Sequence, residues 1–283
     1  MLQSGVGEKE IGVVLPSIVN PFYGSLMSAV EEECVQRSYV PILCLSQNSS
    51  RLESQHIEML GQKQVSGILL SCMHMDEALM DKLRRLEIPC VLFDQTYEEY
   101  PGLNVGFDFY QGGLLATRYL IQCGHREIAA IFKADDGQGH RRYAGYIEAL
   151  MEADIRIEDK RIVWIDTEDV RNRNMREESS WILRRIQGCT ACVCYNDEVA
   201  SNLAATCLEQ KIKVPDKMSI IGIDDSDLAN YCEVPLASVK NPIRELAKKA
   251  AEEILDLMQE KEVPDSVELK PEIINRSSVK IIK

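Results

Sequence analysis

The sequence predicts an α/β protein of two lobes, each a parallel sheet flanked by helices, and three observations predict it. Short apolar runs recur at 11–15, 65–70, 90–93, 128–132, 191–195 and 218–223. Stretches with helical spacing separate them, so the runs read as strands of βαβ units. At 283 residues the chain exceeds most single cores and suits two lobes of ordinary size. Polar residues close each run: Pro16-Ser17 and Asn20, then Ser71, Asp94-Gln95, Lys133, Asn196-Asp197 and Asp224-Asp225. Ligands of open parallel sheets bind beyond the carboxyl ends of the strands, so the pattern implies a receptor for something small and polar.

The helices can be justified in order. Asn20-Pro21 supplies an N-cap and first-turn proline for a helix with Leu26, Val30 and Cys34 on one face. Helical repeats follow over 54–64, 76–86 and 112–123, the last ending at Gly124. The next helix carries Tyr143, Tyr146, Ile147, Leu150 and Met151 at i, i+3, i+4, i+7 and i+8, with Arg142 and Glu148 outside that stripe. Later helices are expected over 175–186, 196–210 and 242–259. The last has Ile243, Leu246, Ala247, Ala250, Ala251, Ile254 and Leu257 on its buried face. The first lobe runs from Glu10 to about Phe107 and the second starts near Asp108, after a short extended piece at 104–108. Further connections between lobes are expected at 238–242 and 267–271.

The composition is that of a globular protein, 45% hydrophobic and 27% charged. A net charge of -13 repels phosphate backbones, and no basic run offers a grip on nucleic acid or anionic lipid. No apolar stretch is long enough to span a bilayer, and residues 1–7 lack the form of an export signal. Most of the ten cysteines lie within apolar runs, which fits a reducing cytoplasm. Cys189, Cys192 and Cys194 form C-x2-C-x-C without a second ligand pair, so they read as core packing, not metal ligands.

Catalytic and cofactor motifs are missing. Gly5-Val6-Gly7 precedes the first strand, where no dinucleotide turn belongs. There is no phosphate-binding G-x4-G-K, no H-E-x-x-H and no G-x-S-x-G. The histidines, His56, His74, His125 and His140, are scattered, and His125 reads as a cap following Gly124. The expectation is a non-enzyme without metal or cofactor. Asp224, within Asp224-Asp225-Ser226-Asp227, is either a solvated turn carboxylate or a ligand contact, and its strand-end position favours contact. Arg142 is either a surface arginine or one that forks two hydrogen bonds to a ligand, and Lys133 carries the same ambiguity. Phe22, Tyr23, Tyr97, Tyr195 and Tyr231 fall at or beyond strand ends, where each is either core or a cover for the apolar face of a sugar.

Several segments together resemble a known family. They are Val13-Val14-Leu15-Pro16 with Asn20-Pro21-Phe22-Tyr23, Gly124-His125, Arg142-x-x-Gly145, Asn196-Asp197-Glu198-Val199-Ala200, Ile221-Gly222-Ile223-Asp224-Asp225 and Ser238-Val239-Lys240. Over residues 10–283 the chain resembles the effector domain of the lactose/galactose repressor family. Ile131-Phe132-Lys133-Ala134-Asp135-Asp136 with Cys194-Tyr195-Asn196-Asp197-Glu198 is similar, more narrowly, to Gram-positive arabinose repressors. The resemblance implies a two-lobed type I periplasmic-binding-protein-like fold hinged by crossover strands. Its N-terminal lobe would comprise 10–107 plus 243–268, and its C-terminal lobe 108–242 plus 269–283. It implies a homodimer with a monosaccharide, first of all L-arabinose, held between the lobes. Arg142, Asn196, Asp224 and Asn241 fall on sugar-contacting positions; Lys133 and Tyr97 follow from the narrower likeness, and Asp94 and Phe22 complete the set. Operator DNA would be reached only through a head that this chain lacks, residues 1–9 being a leader or tag remnant. A free solute-binding protein of a sugar transporter is the alternative.

Overall fold

The computed structural model describes residues 9–72, 75–94, 97, 103–166 and 175–282. His74, Gln95 and the leader at 1–8 lie outside the described residues. The chain divides into two compact units, one holding Met1–Phe107 with Pro242–Leu269 and the other Asp108–Asn241 with Lys270–Lys283.

In the first unit β1 (Glu10–Leu15), β2 (Val40–Leu45), β3 (Gly67–Leu70), β4 (Cys90–Asp94), β5 (Asn104–Phe107) and β11 (Ser266–Leu269) form one sheet, ordered β11-β5-β4-β3-β1-β2. Every pairing in it is parallel, with Val13 opposite Leu43 on one side and Leu69 on the other. Crossovers are made by α1 (Pro21–Gln36), α2 (Ser50–Lys63) and α3 (Glu77–Arg85). Each begins where a side-chain oxygen takes up a free N–H of the first turn: Asn20 from Phe22, Ser49 from Leu52 and Asp76 from Leu79. Buried Val14, Ile57, Leu60, Ile68, Leu70 and Leu92 form a core of β-branched and leucine side chains. A later helix, Ile243–Met258, also belongs to this unit and buries Leu246, Ala247, Ala250, Ala251 and Ile254.

The second unit repeats the arrangement. Its strands are β6 (Ile128–Lys133), β7 (Ile162–Ile165), β8 (Ala191–Cys194), β9 (Ser219–Asp224), β10 (Ala237–Lys240) and β12 (Glu272–Ile274), ordered β12-β10-β9-β8-β6-β7. All pairings are parallel except β10 with β12. The helices are α4 (Phe109–Gln122), α5 (Gly137–Glu152), α6 (Met175–Arg185), α7 (Asp197–Glu209) and the single-turn α8 (Asp227–Tyr231); the helix at Ile243–Met258 becomes α9. Cys189, Cys192 and Cys194 are buried in this unit's apolar core, and all ten cysteines of the chain are free. Among the described residues, no group of His, Cys, Asp and Glu could hold a metal ion, and no helix is long and apolar enough to cross a membrane.

Several elements differ from the sequence reading. The edge strands β2 and β7 were absent from the run pattern. Pro41 and half-exposed positions interrupt the first, and the second is only four residues long with Trp164 facing outward. Residues 238–240 extend the sheet as part of β10 instead of serving only as a connection. α2 starts at Ser50 and α4 at Phe109, because Ser49 and Asp108 cap them one turn or nearly so before the apolar repeat is evident. His125 is no cationic cap: it is buried, with Nδ1 2.9 Å from Thr190 Oγ1 and Nε2 3.2 Å from the Lys280 carbonyl. Burial lowers its pKa and keeps the ring neutral.

α5 departs furthest from the apolar stripe of its sequence. Its buried face is Gln138, Gly139, Arg142, Gly145, Tyr146, Ala149 and Leu150, while Met151 is 64% exposed. Arg142 therefore lies on the inner face, not the polar one. Glycines turn that face inward. A Cβ on Gly145 would stand 2.0 Å from the Tyr110 carbonyl oxygen, and one on Gly113 1.9 Å from that of Arg142, so α4 and α5 meet backbone to backbone.

Candidate functional site

The carboxyl ends of β6, β8, β9 and β10 carry the polar side chains of the second unit. Arg142, in the second turn of α5, is 2% exposed. Its Nη1 donates to the Tyr195 carbonyl at 2.6 Å, and its Nη2 lies 3.6 Å from Asp224 Oδ1. The guanidinium sits 4.5 Å from the Tyr195 ring centroid and 5.2 Å from that of Phe109, so two aromatic rings hold its plane. Its Nε is buried without a hydrogen-bond partner among the described residues. A buried donor of this kind carries a desolvation cost of about 1–3 kcal/mol until something accepts from it.

Asp224, the last residue of β9, has φ 115°, a region where an L side chain is strained by about 1–3 kcal/mol. The turn aims its carboxylate at Asn241, whose Nδ2 donates to Oδ1 at 3.1 Å. Asn196 caps α7, accepting from the Val199 N–H at 3.0 Å through Oδ1. Lys133 ends β6 with Nζ 3.9 Å from Asp136 Oδ2 and 5.4 Å from the Tyr195 ring centroid. The structure thus groups Arg142, Asp224 and Asn241 directly, and ties Lys133 to them through Tyr195.

Two residues outside the predicted set complete the cluster. Asp136 caps α5 by accepting from the Gly139 N–H at 2.6 Å, and its other oxygen accepts from the Tyr195 hydroxyl at 2.7 Å. Asp197 is 1% exposed and accepts from Ser238 Oγ, the Ser226 N–H and Ser226 Oγ. The signal for Asp136 was in the sequence: an acidic residue at a strand-to-helix turn, where a cap is needed.

Burial raises the Asp197 pKa to about 6, with the serine donors pulling it down and the Asp225 charge adding to the rise. The folded carboxyl therefore keeps a proton that the unfolded chain releases near pH 4, so this group's contribution to stability falls as pH rises from about 4 to 6. Urea unfolding across that window is expected to show the decline in the wild type and a flatter profile in Asp197→Asn. Parallel profiles would contradict the assignment.

The first unit places its predicted residues differently. Asp94 is the last residue of β4 with φ 74°, and its Oδ2 accepts from Ser71 Oγ at 3.2 Å and the Tyr23 hydroxyl at 3.3 Å. β4 and β9 are both third in their sheets, so Asp94 and Asp224 occupy the same place in the repeated topology. Phe22 is buried edge-on to Phe107, with centroids 6.0 Å apart. Tyr97 donates its hydroxyl to the Cys72 carbonyl at 2.9 Å, and its ring packs on the core. In the second unit, Tyr231 is 84% exposed.

Comparison with known proteins gives a consistent picture. Residues 117–279 match the family model of the periplasmic binding protein-like domain. The HTH-type transcriptional repressor PurR of Photobacterium profundum is 31% identical over 275 residues, covering 96% of this chain and 81% of that protein. The arabinose metabolism transcriptional repressor of Geobacillus stearothermophilus is 30% identical over 285 residues, covering 98% of this chain and 78% of that protein. A LacI family transcriptional regulator from Enterococcus faecium, solved with bound ribose, superposes with a TM-score of 0.84 at 26% identity, covering 97% of this chain and all (100%) of the other.

Proposed function

Because the chain belongs to the LacI family, as a periplasmic-binding-protein-like effector domain, we propose that it senses a monosaccharide, with L-arabinose the first candidate. The observation that carries this reading is the buried set Arg142, Asp224 and Asn241 at the strand ends of the second unit. A carboxylate accepts from two adjacent hydroxyls, and a guanidinium held flat by two rings donates to two more. Asn196 spends Oδ1 on its helix cap, so its Nδ2 is the group that serves the ligand. Tyr195 and Phe109 supply apolar faces for sugar C–H groups. The relative named for arabinose metabolism and the neighbour holding ribose support a pentose.

The chain acts as the dimerising, ligand-sensing part of a transcriptional repressor. A net charge of -13 fits a role in which an attached head, not this domain, grips the operator. Ligand then shifts DNA affinity by the difference in its binding to two conformations, typically about 1–3 kcal/mol of coupling. Lys133, Asp94, Tyr97 and Phe22 are assigned lesser contacts, and Asp94→Ala is expected to weaken sugar binding about tenfold. Calorimetric titration with L-arabinose, D-xylose, D-galactose and D-ribose tests the proposal. Saturable heat with arabinose and much less with the others is expected; a silent panel contradicts the monosaccharide reading.

A further inference from the structure

Asp197 opens α7 immediately after Asn196, yet none of its bonds serves its own helix. Its Oδ1 accepts from Ser238 Oγ on β10 at 2.6 Å. Its Oδ2 accepts from the Ser226 N–H at 2.7 Å and Ser226 Oγ at 3.0 Å, at the start of α8. Ser238 Oγ in turn accepts from the Asp225 N–H at 3.0 Å. On the other side the carboxylate rests on β9, where a Cβ on Gly222 would stand 2.2 Å from Oδ1. One buried side chain therefore touches the backbone before Asp224, at Gly222, and holds it after Asp224, at Ser226 and, through Ser238, at Asp225.

Those anchors bracket the strained part of the chain. Asp224 and Asp225 have φ of 115° and 54°, neither of them a glycine. Strain of this kind persists only where the surroundings over-determine it. We infer that Asp197 is a positioning residue: it clamps the turn that aims the Asp224 carboxylate at Asn241 and the ligand. The inference rests on the reading of Asp224 as a ligand contact. It gives a purpose to a buried carboxylate that a helix start alone does not require, since Asn196 already supplies the cap.

A protonated Asp197 carboxyl must donate where it now accepts, so the clamp weakens as pH falls through the folded pKa of about 6. The ionisable groups around it are Asp224 and Asp225 of the turn, Glu198 next on α7, Cys232 after α8, and Arg276, which pairs with Asp225.

The test is the crystal structures of Asp197→Asn and Ser238→Ala, with L-arabinose titrations of both and of the wild-type chain at about pH 7.5 and pH 5. In the variants Asp224 is expected to leave its positive φ and lose the Asn241 bond. Sugar affinity is expected to fall about tenfold at the higher pH. The drop in affinity on acidification is expected to shrink in Asp197→Asn. If Asp197→Asn does not fold, Ser238→Ala, which keeps the carboxylate but removes a donor, carries the structural readout. An unmoved Asp224 in the variant structures overturns the inference whether or not arabinose binds. A displaced Asp224 with wild-type sugar affinity instead overturns the assignment of Asp224 to the ligand.

Discussion

Arg142→Met is expected to abolish sugar binding, weakening it by more than about a hundredfold, in a protein that stays folded. Methionine keeps most of the apolar length of the side chain, so little cavity opens. What is lost is the charge, the bond to the Tyr195 carbonyl and the fork available to ligand hydroxyls. Losing one partner of a buried, hydrogen-bonded charged group costs roughly 2–5 kcal/mol of binding. Arg142→Ala is the poorer probe, because it adds a cavity to the loss. Arg142→Lys is also expected to fail, since an ammonium neither stacks on a ring face nor donates in a plane. Circular dichroism reads the fold and calorimetry the affinity; wild-type affinity in Arg142→Met contradicts the site.

Gly145→Ala is expected to produce a large loss of stability from a single methyl group. Its Cβ would meet the Tyr110 carbonyl oxygen at 2.0 Å and the Leu114 nitrogen at 2.6 Å. Both neighbours are backbone, so no rotamer change relieves the clash and α4 must move off α5. Overpacking of this kind costs about 3 kcal/mol or more, a fall of roughly 6–12 °C in melting temperature. Because α5 carries Arg142, sugar binding is expected to weaken as well. Gly137→Ala is the control: it lies on the same helix with nothing within 4 Å of the new Cβ. It is expected to melt within a degree or two of wild type. Equal melting of Gly145→Ala and wild type contradicts the close-packed reading of α4 and α5.

The interior strands were legible because burial on both faces makes a parallel strand a continuous apolar run, as in β3, β4, β6, β8 and β9. β2 and β7 lie at sheet edges; Pro41 interrupts the first, and the second is only four residues long with Trp164 partly exposed, so local pattern marks both weakly. Helix starts were displaced for a related reason. Caps at Ser49 and Asp108 act through a single hydrogen bond, whereas the apolar repeat begins only where the helix meets the core. For the candidate site, strand-end position singled out Asp224, Lys133 and Asp94, which the structure places as the last residues of β9, β6 and β4. It could not reveal that Arg142 faces inward, because the glycines that allow it, Gly113 and Gly145, sit on two helices whose contact is tertiary. Nor could it assign Asp197, whose partners Ser226 and Ser238 are distant in sequence. Tyr97 adds a bond that strand-end position does not foretell: its hydroxyl donates to the Cys72 carbonyl.

The central claim is that a monosaccharide is held by Arg142, Asp224 and Asn241, and a crystal structure of this chain grown with L-arabinose tests it most directly. The expected result is a sugar with adjacent hydroxyls within hydrogen-bonding distance of the Asp224 carboxylate and the Arg142 guanidinium, and with a C–H face against Tyr195 or Phe109. A sugar bound away from all three polar residues, with Arg142 and Asp224 still paired only to the protein, would contradict it.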